Sequence, residues 1–517
     1  MKQILFYLFP ALFSLFSCSN VNIPEETKYK SPEVIYYIFT RSFYDSDGDR
    51  QGDLKGIQQK LDYLQELGVT SILTTPLCFS SYYHNYFPVD LRKIDPEYGT
   101  KEDFENLIKE IHKRGMKFYL DMEPQYITDE HIWYKLSRNA KPTWYDSSFF
   151  SSTAFPLLSY DGQQHRIFMV NLHHPRVRRY IYDVFRSLVD PDGDGFFNDG
   201  VDGFRIDHMM DNLDHLGLDT NLFTGFWRPL FLELRKMNPE LKIIAEQANW
   251  LSLGKEYFEN ADVDMVFAFL LRFAIVSFDR KQIMVNVDSA LANTPQGKQQ
   301  IVFLENHDLD RIPTVVGSET GKLKVAATLN MFFPGTPMIY YGQELGMRGR
   351  KLHVASDGDI IPCREAFEWY NDYEHPGMAI WYKNTGPWWD STFLRRNDNI
   401  SLEEERYDSS SLWNFYRTLI SLRKKYPALS SGSYSSYPCD QDQVFVFKRR
   451  KNQEEVLVAV NLSDSVRCQY LNGKLNRMFL NRSRYILGSD QCTLEKMRGD
   501  TMKIVFQPFA TVAISQP

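Results

Sequence analysis

Three acidic residues follow closely on short apolar runs, and their spacing suits acid–base and nucleophilic chemistry. Asp207 follows the segment "GFRI", Glu246 follows "IIA" and Asp308 follows "VFLENH". Apolar runs of this length are typical of buried strands, so we expect the carboxyl groups at strand ends. Two carboxyl groups about 5–5.5 Å apart are what a retaining glycoside hydrolase needs, one as nucleophile and one as acid and base.

Two basic side chains accompany these acids. Arg205 alternates with apolar neighbours before Asp207, which is the period of a strand with one apolar face, and His307 precedes Asp308. A fixed positive charge favours an ionised carboxylate, so we expect Arg205 to keep Asp207 negative. Glu246, desolvated near other acids, is expected to have a raised pKa and to hold a proton for donation. Each acid alone also fits a helix cap at a strand end, but five converging residues favour a catalytic site.

Eight strand-like runs alternate with amphipathic helical patterns and would position these residues. This alternation predicts an α/β protein with a (β/α)₈ barrel over residues 31–428, whose active site lies at the carboxyl ends of the strands. A doubly wound open sheet is the alternative, disfavoured because no G-x-G-x-x-G turn follows the first strand. The runs are "VIYYIF" from Val34, "TSILTTP" from Thr70, "MKFYLDM" from Met116, "VDGFRID" from Val201, "KIIAEQ" from Lys242, "MVFAFLL" from Met265, "QIVFLENHD" from Gln300 and "TPMIYYGQE" from Thr336.

Two segments depart from this alternation and predict additional modules. The interval from Asp121 to Asp207 is far longer than one βα unit of about 30 residues, so we expect a B-domain insertion at 123–175 after the third strand. From residue 429 to 517 the pattern changes to short β runs such as "VFVFKRR" and "EVLVAVNLS". That pattern predicts a C-terminal antiparallel β-sandwich.

The N-terminus predicts export to a cell envelope. An apolar run from Ile4 to Phe16 follows Lys2 and is shorter than the roughly 20 residues of a membrane span, so residues 1–18 are predicted to be a signal peptide. The segment "LFSC" resembles a bacterial lipobox, which would make Cys18 a lipid anchor at the outer membrane or periplasmic face. An ordinary signal peptide with an incidental cysteine is the alternative. The net charge of −7 and the lack of a basic run argue against a nucleic-acid partner.

Several segments together resemble the α-amylase family, glycoside hydrolase family 13. They are "YHNYF", "GFRID", "AEQ", "ENHD" and "PGTPMIYYGQELGM", and the resemblance extends from about Ser31 to Pro517. It implies a barrel with a B domain and a C-terminal β-sandwich, and retaining cleavage of α-glucosidic bonds, most often α-1,4, in starch-derived glucans or maltooligosaccharides. The roles it implies are nucleophile for Asp207, acid/base for Glu246, a grip on the sugar hydroxyls for Asp308, orientation of the nucleophile for Arg205, and sugar contacts for His84, Tyr86 and His307.

One segment differs from the family pattern. The third strand of relatives ends D-x-x-x-N-H, whereas this chain reads "DMEPQY", with Gln125 and Tyr126 in place of Asn and His. In relatives that Asn binds calcium and that His contacts the sugar. The usual calcium site is therefore not expected here, Tyr126 is predicted to bind sugar in a changed subsite, and Glu123 has no assigned role.

Two acidic loops predict structural calcium sites. The loop "DSDGDRQGD" offers Asp45, Asp47, Asp49, the Gln51 carbonyl and Asp53 at alternate positions, as calcium loops do. A second loop, "DPDGDGFFND", offers acids at 190, 192, 194 and 199 but lacks a final Glu, so a solvated acidic turn is an equal alternative.

The same residues leave three functions open. The leading hypothesis is a monomeric, lipid-anchored α-glucan hydrolase, acting on α-1,4 or α-1,6 bonds. An α-glucanotransferase would use the same covalent chemistry, and an inactive glucan-binding lipoprotein is the third alternative. The tryptophans of "GPWWDS" and Trp381 either form a sugar platform or pack a loop, and Asp359 and Arg364 are candidate sugar contacts.

Overall fold

The computed structural model describes residues 32–138, 149–152, 155–439, 441–471, 484–498 and 501–516. The predicted signal peptide and Cys18 lie outside these residues. The strands of the described part are β1 (Ile35–Ile38), β2 (Ser71–Thr74), β3 (Cys78–Ser80), β4 (Pro88–Ile94), β5 (Lys117–Met122), β6 (Tyr126–Thr128), β7 (Phe155–Leu158), β8 (Gln164–Met169), β9 (Gly203–Met209), β10 (Lys242–Gln247), β11 (Met265–Phe267), β12 (Gln299–Val302), β13 (Thr336–Tyr340), β14 (Ser433–Tyr437), β15 (Val444–Lys451), β16 (Glu454–Asn461), β17 (Arg467–Leu471), β18 (Arg484–Leu487), β19 (Cys492–Lys496), β20 (Met502–Phe506) and β21 (Thr511–Gln516).

Amphipathic sequences form the helices that cover the strands. In the helix at 101–113, Phe104, Leu107 and Ile111 are buried, and a capping box between Thr100 and Asp103 starts it. The helices of the described residues are α1 (Leu54–Gln59), α2 (Leu61–Leu67), α3 (Lys101–Lys113), α4 (Ile132–Arg138), α5 (Pro175–Val189), α6 (Arg228–Met237), α7 (Phe269–Ser277), α8 (Arg280–Ala292), α9 (Ile312–Val316), α10 (Thr320–Phe332), α11 (Pro387–Asp390), α12 (Leu402–Glu405), α13 (Leu412–Lys425) and α14 (Pro427–Ser431).

Eight parallel strands close into the predicted barrel. Their order around it is β1, β2, β5, β9, β10, β11, β12 and β13, with β13 pairing back to β1. Each derives from one of the eight runs expected to form strands, so the predicted fold class is confirmed. The barrel brings the carboxyl ends of all eight strands to one rim.

Some strand ends differ from the prediction. Strand β12 stops at Val302, so Asp308 lies in the loop after the strand and not at its end. Strand β11 stops at Phe267, because the residues that follow turn directly into α7. A side chain on a loop that follows a short strand can turn towards the centre of the rim, and binding residues often lie on such loops.

A small antiparallel sheet is inserted between β5 and α5. Its strand order is β6, β8 and β7. It lies where the long interval before Asp207 predicted a B domain, although residues 139–148 and 153–154 of that interval are outside the described part. The insertion follows directly on β5 and therefore borders the catalytic rim.

Two sheets form the C-terminal region. The larger has the order β14, β15, β16, β21 and β18, and the smaller has β17, β20 and β19. Val446 and Leu457 of the larger sheet share a buried cluster with Ile504 and Phe506 of the smaller one. This packing of one sheet on the other is the predicted sandwich.

Candidate active site

The three predicted catalytic acids gather around one buried arginine. The Nη1 atom of Arg205 contacts Asp207 and lies 2.7 Å from Asp121, while its Nη2 lies 2.9 Å from Oε2 of Glu246. The Arg205 side chain is completely buried. One guanidinium therefore spans the nucleophile and acid candidates, and it holds both carboxyl groups on the same side of the rim.

Asp121, at the end of β5, is the third acid that contacts Arg205. Its carboxylate accepts hydrogen bonds of 2.7 Å from the hydroxyl groups of both Tyr37 and Tyr86, besides those from Arg205. Burial raises the pKa of Asp121 to about 6, against the opposing charge of Arg205. Sequence reasoning overlooked Tyr37, because nothing in β1 alone indicates a partner on β5.

Glu246 has the electrostatics of a proton donor. Burial raises its pKa well above the usual range, the charges of Asp207 and Asp308 raise it further, and Arg205 opposes them. Its Oε2 also accepts a hydrogen bond of 3.2 Å from the backbone N–H of His208. The raised pKa agrees with the expectation that Glu246 keeps a proton near neutral pH.

Asp308 is held in the opposite state. Although burial raises its pKa, the positive charges of His307 and then of Arg364 lower the pKa of Asp308 to about 2. The Nη2 atom of Arg364 lies 3.0 Å from Oδ1 of Asp308, and Arg364 is held by the His307 carbonyl and the Tyr83 hydroxyl. Arg364, expected as a direct sugar contact, is thus also the ion-pair partner of Asp308.

The two histidines predicted to bind sugar both have lowered pKa values. Burial lowers the pKa of His307 to about 3, and its Nε2 lies 3.1 Å from Oδ2 of Asp308. Burial and the charge of Arg364 lower the pKa of His84 well below its ordinary value. The Tyr86 ring is stacked on His307 with centroids 5.1 Å apart, so that face of Tyr86 is not available to a sugar.

A cleft of about 310 Å³ opens above these groups. Among its walls is Asp357, which the sequence analysis did not identify; burial raises its pKa to about 7, and it lies 3.6 Å from His84. Seven of the residues named in the sequence analysis face the cleft together. The lining residues are His84, Tyr86, Phe87, Leu157, Asp207, His307, Asp308, Asp357, Asp359, Ile360 and Arg364.

The altered segment after β5 is tied into the site by hydrogen bonds. The Tyr126 hydroxyl donates a bond of 2.8 Å to Asp214, which also lies 3.0 Å from Nε2 of His208. The Nε2 of Gln125 lies 3.0 Å from the carbonyl oxygen of Asp207. Tyr126 is therefore near the rim, with its hydroxyl already engaged by Asp214.

The aromatic residues after β13 pack the loop down. Trp381 and Trp388 are both buried, and the indole N–H of Trp381 donates a bond of 2.8 Å to Ser42. Trp381 also stacks on Tyr83 at 4.8 Å. Of the two alternatives, these contacts favour packing over an open sugar platform.

The first acidic loop presents oxygen atoms as a hard cation requires. Asp45, Asp47 and Asp49 bring carboxylate oxygens within 4.8 Å of one another. Burial and then the charges of Asp47 and Asp45 raise the pKa of Asp49, so a bound cation would relieve their repulsion. Asp53, the fifth predicted ligand, also caps α1 through the backbone N–H of Gly56 at 2.8 Å.

The second acidic loop has a similar core. Asp190, Asp192 and Asp194 again bring carboxylate oxygens within 4.8 Å of one another. Asp199 is fully buried and forms an ion pair with Lys109 at 3.6 Å. Calcium binding by either loop stays a prediction.

The helices of the described residues bear on whether this part of the chain could cross a membrane. Every helix in this part is too short or too polar to serve as a membrane span. Lipid anchoring at Cys18 also stays a prediction.

The chain is similar to known proteins over most of its length. The family model "Alpha amylase, catalytic domain" matches residues 37–165 and 152–432. The chain is 27% identical to Alpha-amylase 3 of Dictyoglomus thermophilum, covering 100% of this chain and 99% of the relative, and 27% identical to an oligo-1,6-glucosidase of Heyndrickxia coagulans, covering 85% and 93%. A crystal structure of the alpha-amylase from H. orenii superimposes with a TM-score of 0.76 at 26% identity, covering 94% of this chain and 99% of that one. The chain therefore belongs to the α-amylase family, and it is a glycoside hydrolase.

Proposed function

We propose that this protein hydrolyses α-1,4 bonds in starch-derived α-glucans or maltooligosaccharides with retention of configuration. The observation that carries the proposal is the single guanidinium of Arg205 lying between Asp207 and Glu246. It pairs with both carboxyl groups, but burial raises the pKa of Glu246 against the charge of Arg205. Two carboxyl groups in opposite protonation states are what double displacement requires.

The first step would form a covalent intermediate. An oxygen of Asp207 attacks the anomeric carbon, the glycosidic C–O bond breaks, and Glu246 transfers its proton to the departing oxygen. Asp308, kept ionised beside Arg364, accepts hydrogen bonds from the sugar hydroxyls and favours the distorted ring.

The second step would release the sugar. A water molecule gives a proton to Glu246 and attacks the anomeric carbon, and the electrons of the ester bond return to Asp207. Two inversions at one carbon give net retention.

The alternative within the family is an α-glucanotransferase, in which a sugar hydroxyl replaces the water. The names of the relatives support an α-glucoside as substrate and leave the bond open, since one is an alpha-amylase and another an oligo-1,6-glucosidase. An α-1,6 preference is therefore the alternative bond specificity.

Product analysis over time tests the proposal. We expect maltooligosaccharides to yield shorter sugars that initially carry the α-anomeric configuration, read by ¹H NMR. Products longer than the substrate would establish transfer, and cleavage of pullulan to panose or to maltotriose would distinguish α-1,4 from α-1,6 specificity. If the protein bound maltooligosaccharides, pullulan and cyclodextrin but released no product from any of them, the result would contradict the proposal and favour the inactive glucan-binding alternative.

We also propose that the loop with Asp45, Asp47 and Asp49 binds Ca²⁺ as a structural ion. Carboxylate and carbonyl oxygens are the ligands that Ca²⁺ prefers, and the ion would fix the loop ahead of α1. The doubly substituted Asp47→Asn/Asp49→Asn protein should lose one equivalent of bound Ca²⁺ by calorimetry and part of the Ca²⁺-dependent rise in Tm. An exposed Asp442→Asn control should bind as the wild type does, and unchanged stoichiometry in the double variant would remove the assignment.

The proposed location is a bacterial cell envelope, with a monomeric enzyme anchored through lipid at Cys18. The support is the N-terminal sequence alone. The Cys18→Ser protein should lose labelling by a fatty-acid probe and leave the detergent phase in phase partition, whereas a labelled variant would contradict anchoring at this residue.

A further inference from the structure

Glu123 is a buried acid beside the nucleophile that the family roles leave unused. It lies in the short connection between β5 and β6, where its side chain is almost fully buried. Its Oε1 accepts a hydrogen bond of 2.6 Å from the backbone N–H of Gln125, and both of its carboxyl oxygens lie 3.1 Å from the Gln125 Nε2. The carboxyl group is therefore held in one orientation.

Gln125 connects this carboxyl group to the nucleophile's own backbone. Its Nε2 lies 3.0 Å from the carbonyl oxygen of Asp207 and 3.2 Å from that of His208. One amide thus contacts Glu123 and the end of β9 together.

The Glu123 carboxyl group also meets the carboxyl group of Asp207 within side-chain hydrogen-bonding distance. Two carboxyl groups in such contact repel each other when both are ionised, so one shared proton is favoured. Arg205 contacts Asp207 and favours negative charge there. The proton therefore belongs on Glu123.

The electrostatic environment agrees with this placement. Burial raises the pKa of Glu123 well above the usual range of a glutamate, and the charge of Asp207 raises it further, while the backbone N–H of Gln125 opposes the shift.

We infer that Glu123 is a positioning residue for the nucleophile: as a neutral acid it donates a hydrogen bond to the Asp207 carboxylate, opposite the bond from Arg205. This inference rests on the proposed double displacement. The hydrogen bond orients Asp207 for attack on the anomeric carbon. Esterified Asp207 carries no charge, so this hydrogen bond strengthens as the ester bond breaks. It therefore also stabilises the negative charge that returns to Asp207 when the glycosyl-enzyme is hydrolysed. Glu123 keeps its own proton throughout.

The kinetic test compares Glu123→Gln, which keeps an N–H donor, with Glu123→Leu, which has none. The substrate is an aryl α-maltoside, whose leaving group needs little protonation, so hydrolysis of the glycosyl-enzyme limits kcat. We expect the leucine variant to lose about 10- to 100-fold in kcat, as for a hydrogen bond to a charged group. Its KM should fall too, with a burst of released phenol, because the intermediate accumulates. The glutamine variant should stay within about threefold of the wild type.

Other outcomes would overturn the inference. An unchanged kcat in Glu123→Leu would remove the role, and so would equal losses in both variants with KM unaltered. Glu130→Leu, a half-exposed glutamate of the same insertion, is the matched control and should leave kcat and KM unchanged. Circular dichroism and Tm establish that each variant folds.

A measurement independent of turnover separates this inference from the proposed function. The infrared difference spectrum between wild type and Glu123→Gln at neutral pH should contain one protonated-carboxyl C=O band belonging to Glu123. A carboxylate band in its place would overturn the inference even in an active enzyme. The protonated band in a protein that cleaves no α-glucan would contradict the proposed function alone.

Discussion

At the scale of single residues, one positive charge has to balance several acids. Arg205 contacts Asp121 and Glu246, which are buried, and Asp207, whose side chain is partly exposed. Three ionised carboxylates around one guanidinium would leave uncompensated negative charge, so part of the set must hold protons. The raised pKa of Glu246 is the consequence, and the same imbalance makes the site suited to proton transfer.

The first prediction concerns this proton. In Glu246→Gln the departing oxygen receives no proton, so kcat/KM for maltooligosaccharides should fall about 10²- to 10⁴-fold. In the wild type, activity needs protonated Glu246, so kcat/KM should decline as pH rises through its raised pKa. The pH profile of the variant should lack that alkaline decline.

The control for this prediction is Glu259→Gln, a substitution of an exposed glutamate, which should reproduce the wild-type pH profile. Full activity in Glu246→Gln would show that another group protonates the leaving oxygen.

At the scale of elements, β9 can carry Arg205 and Asp207 only because its first residue is small. A Cβ added at Gly203 would lie 2.1 Å from the Lys242 carbonyl oxygen of β10 and 2.9 Å from the Tyr119 ring of β5. Both neighbours are hydrogen-bonded to β9 in the barrel. The glycine therefore sets how closely three adjacent strands approach beneath the catalytic residues.

The second prediction follows from this close approach. Gly203→Ala should force the strands apart and lower the free energy of unfolding by about 1–3 kcal/mol or more. Urea denaturation measures the loss, and the exposed strand substitution Ser435→Ala should stay within about 0.5 kcal/mol of the wild type. A stable Gly203→Ala protein would mean that the barrel relaxes here at little cost.

At the scale of the whole molecule, the larger C-terminal sheet lies between the barrel and the smaller sheet. Strand β15 alternates: Phe445 and Phe447 pack near Phe333 at the end of α10, while Val444 and Val446 face the smaller sheet. Buried Arg449 of β15 donates a hydrogen bond of 2.6 Å to the Phe332 carbonyl. These contacts make the C-terminal region part of the support of the barrel.

The third prediction tests that support. Arg449→Met leaves the Phe332 and Gly432 carbonyl groups without their buried donor, so the free energy of unfolding should fall by about 1.5–3 kcal/mol. Lys503→Met, which removes only a surface ion pair with Glu495, should change it by less than about 1 kcal/mol. Equal, small effects of the two variants would show that the sheet and the barrel are not energetically coupled through Arg449.

The sequence by itself determined the strands of the barrel and the candidate catalytic acids. Strand and helix periodicity is a local property, and an acid directly after a barrel strand lies at the carboxyl end of that strand. The expectation that Glu246 keeps a proton also came from residue types and neighbours alone. The exact ends of the strands did not follow from the sequence, since β12 stops at Val302 and Asp308 reaches the site through a loop.

Only the tertiary structure decided the partners of these residues. The bond from Tyr37 to Asp121, the ion pair of Arg364 with Asp308, and the contact of Glu123 with Asp207 each join segments far apart in the chain. Sequence spacing carries no record of such contacts, because closure of the barrel and the course of its loops set which side chains meet. The protonation states depend on those meetings, since burial and neighbouring charge act through distance in space and not along the chain.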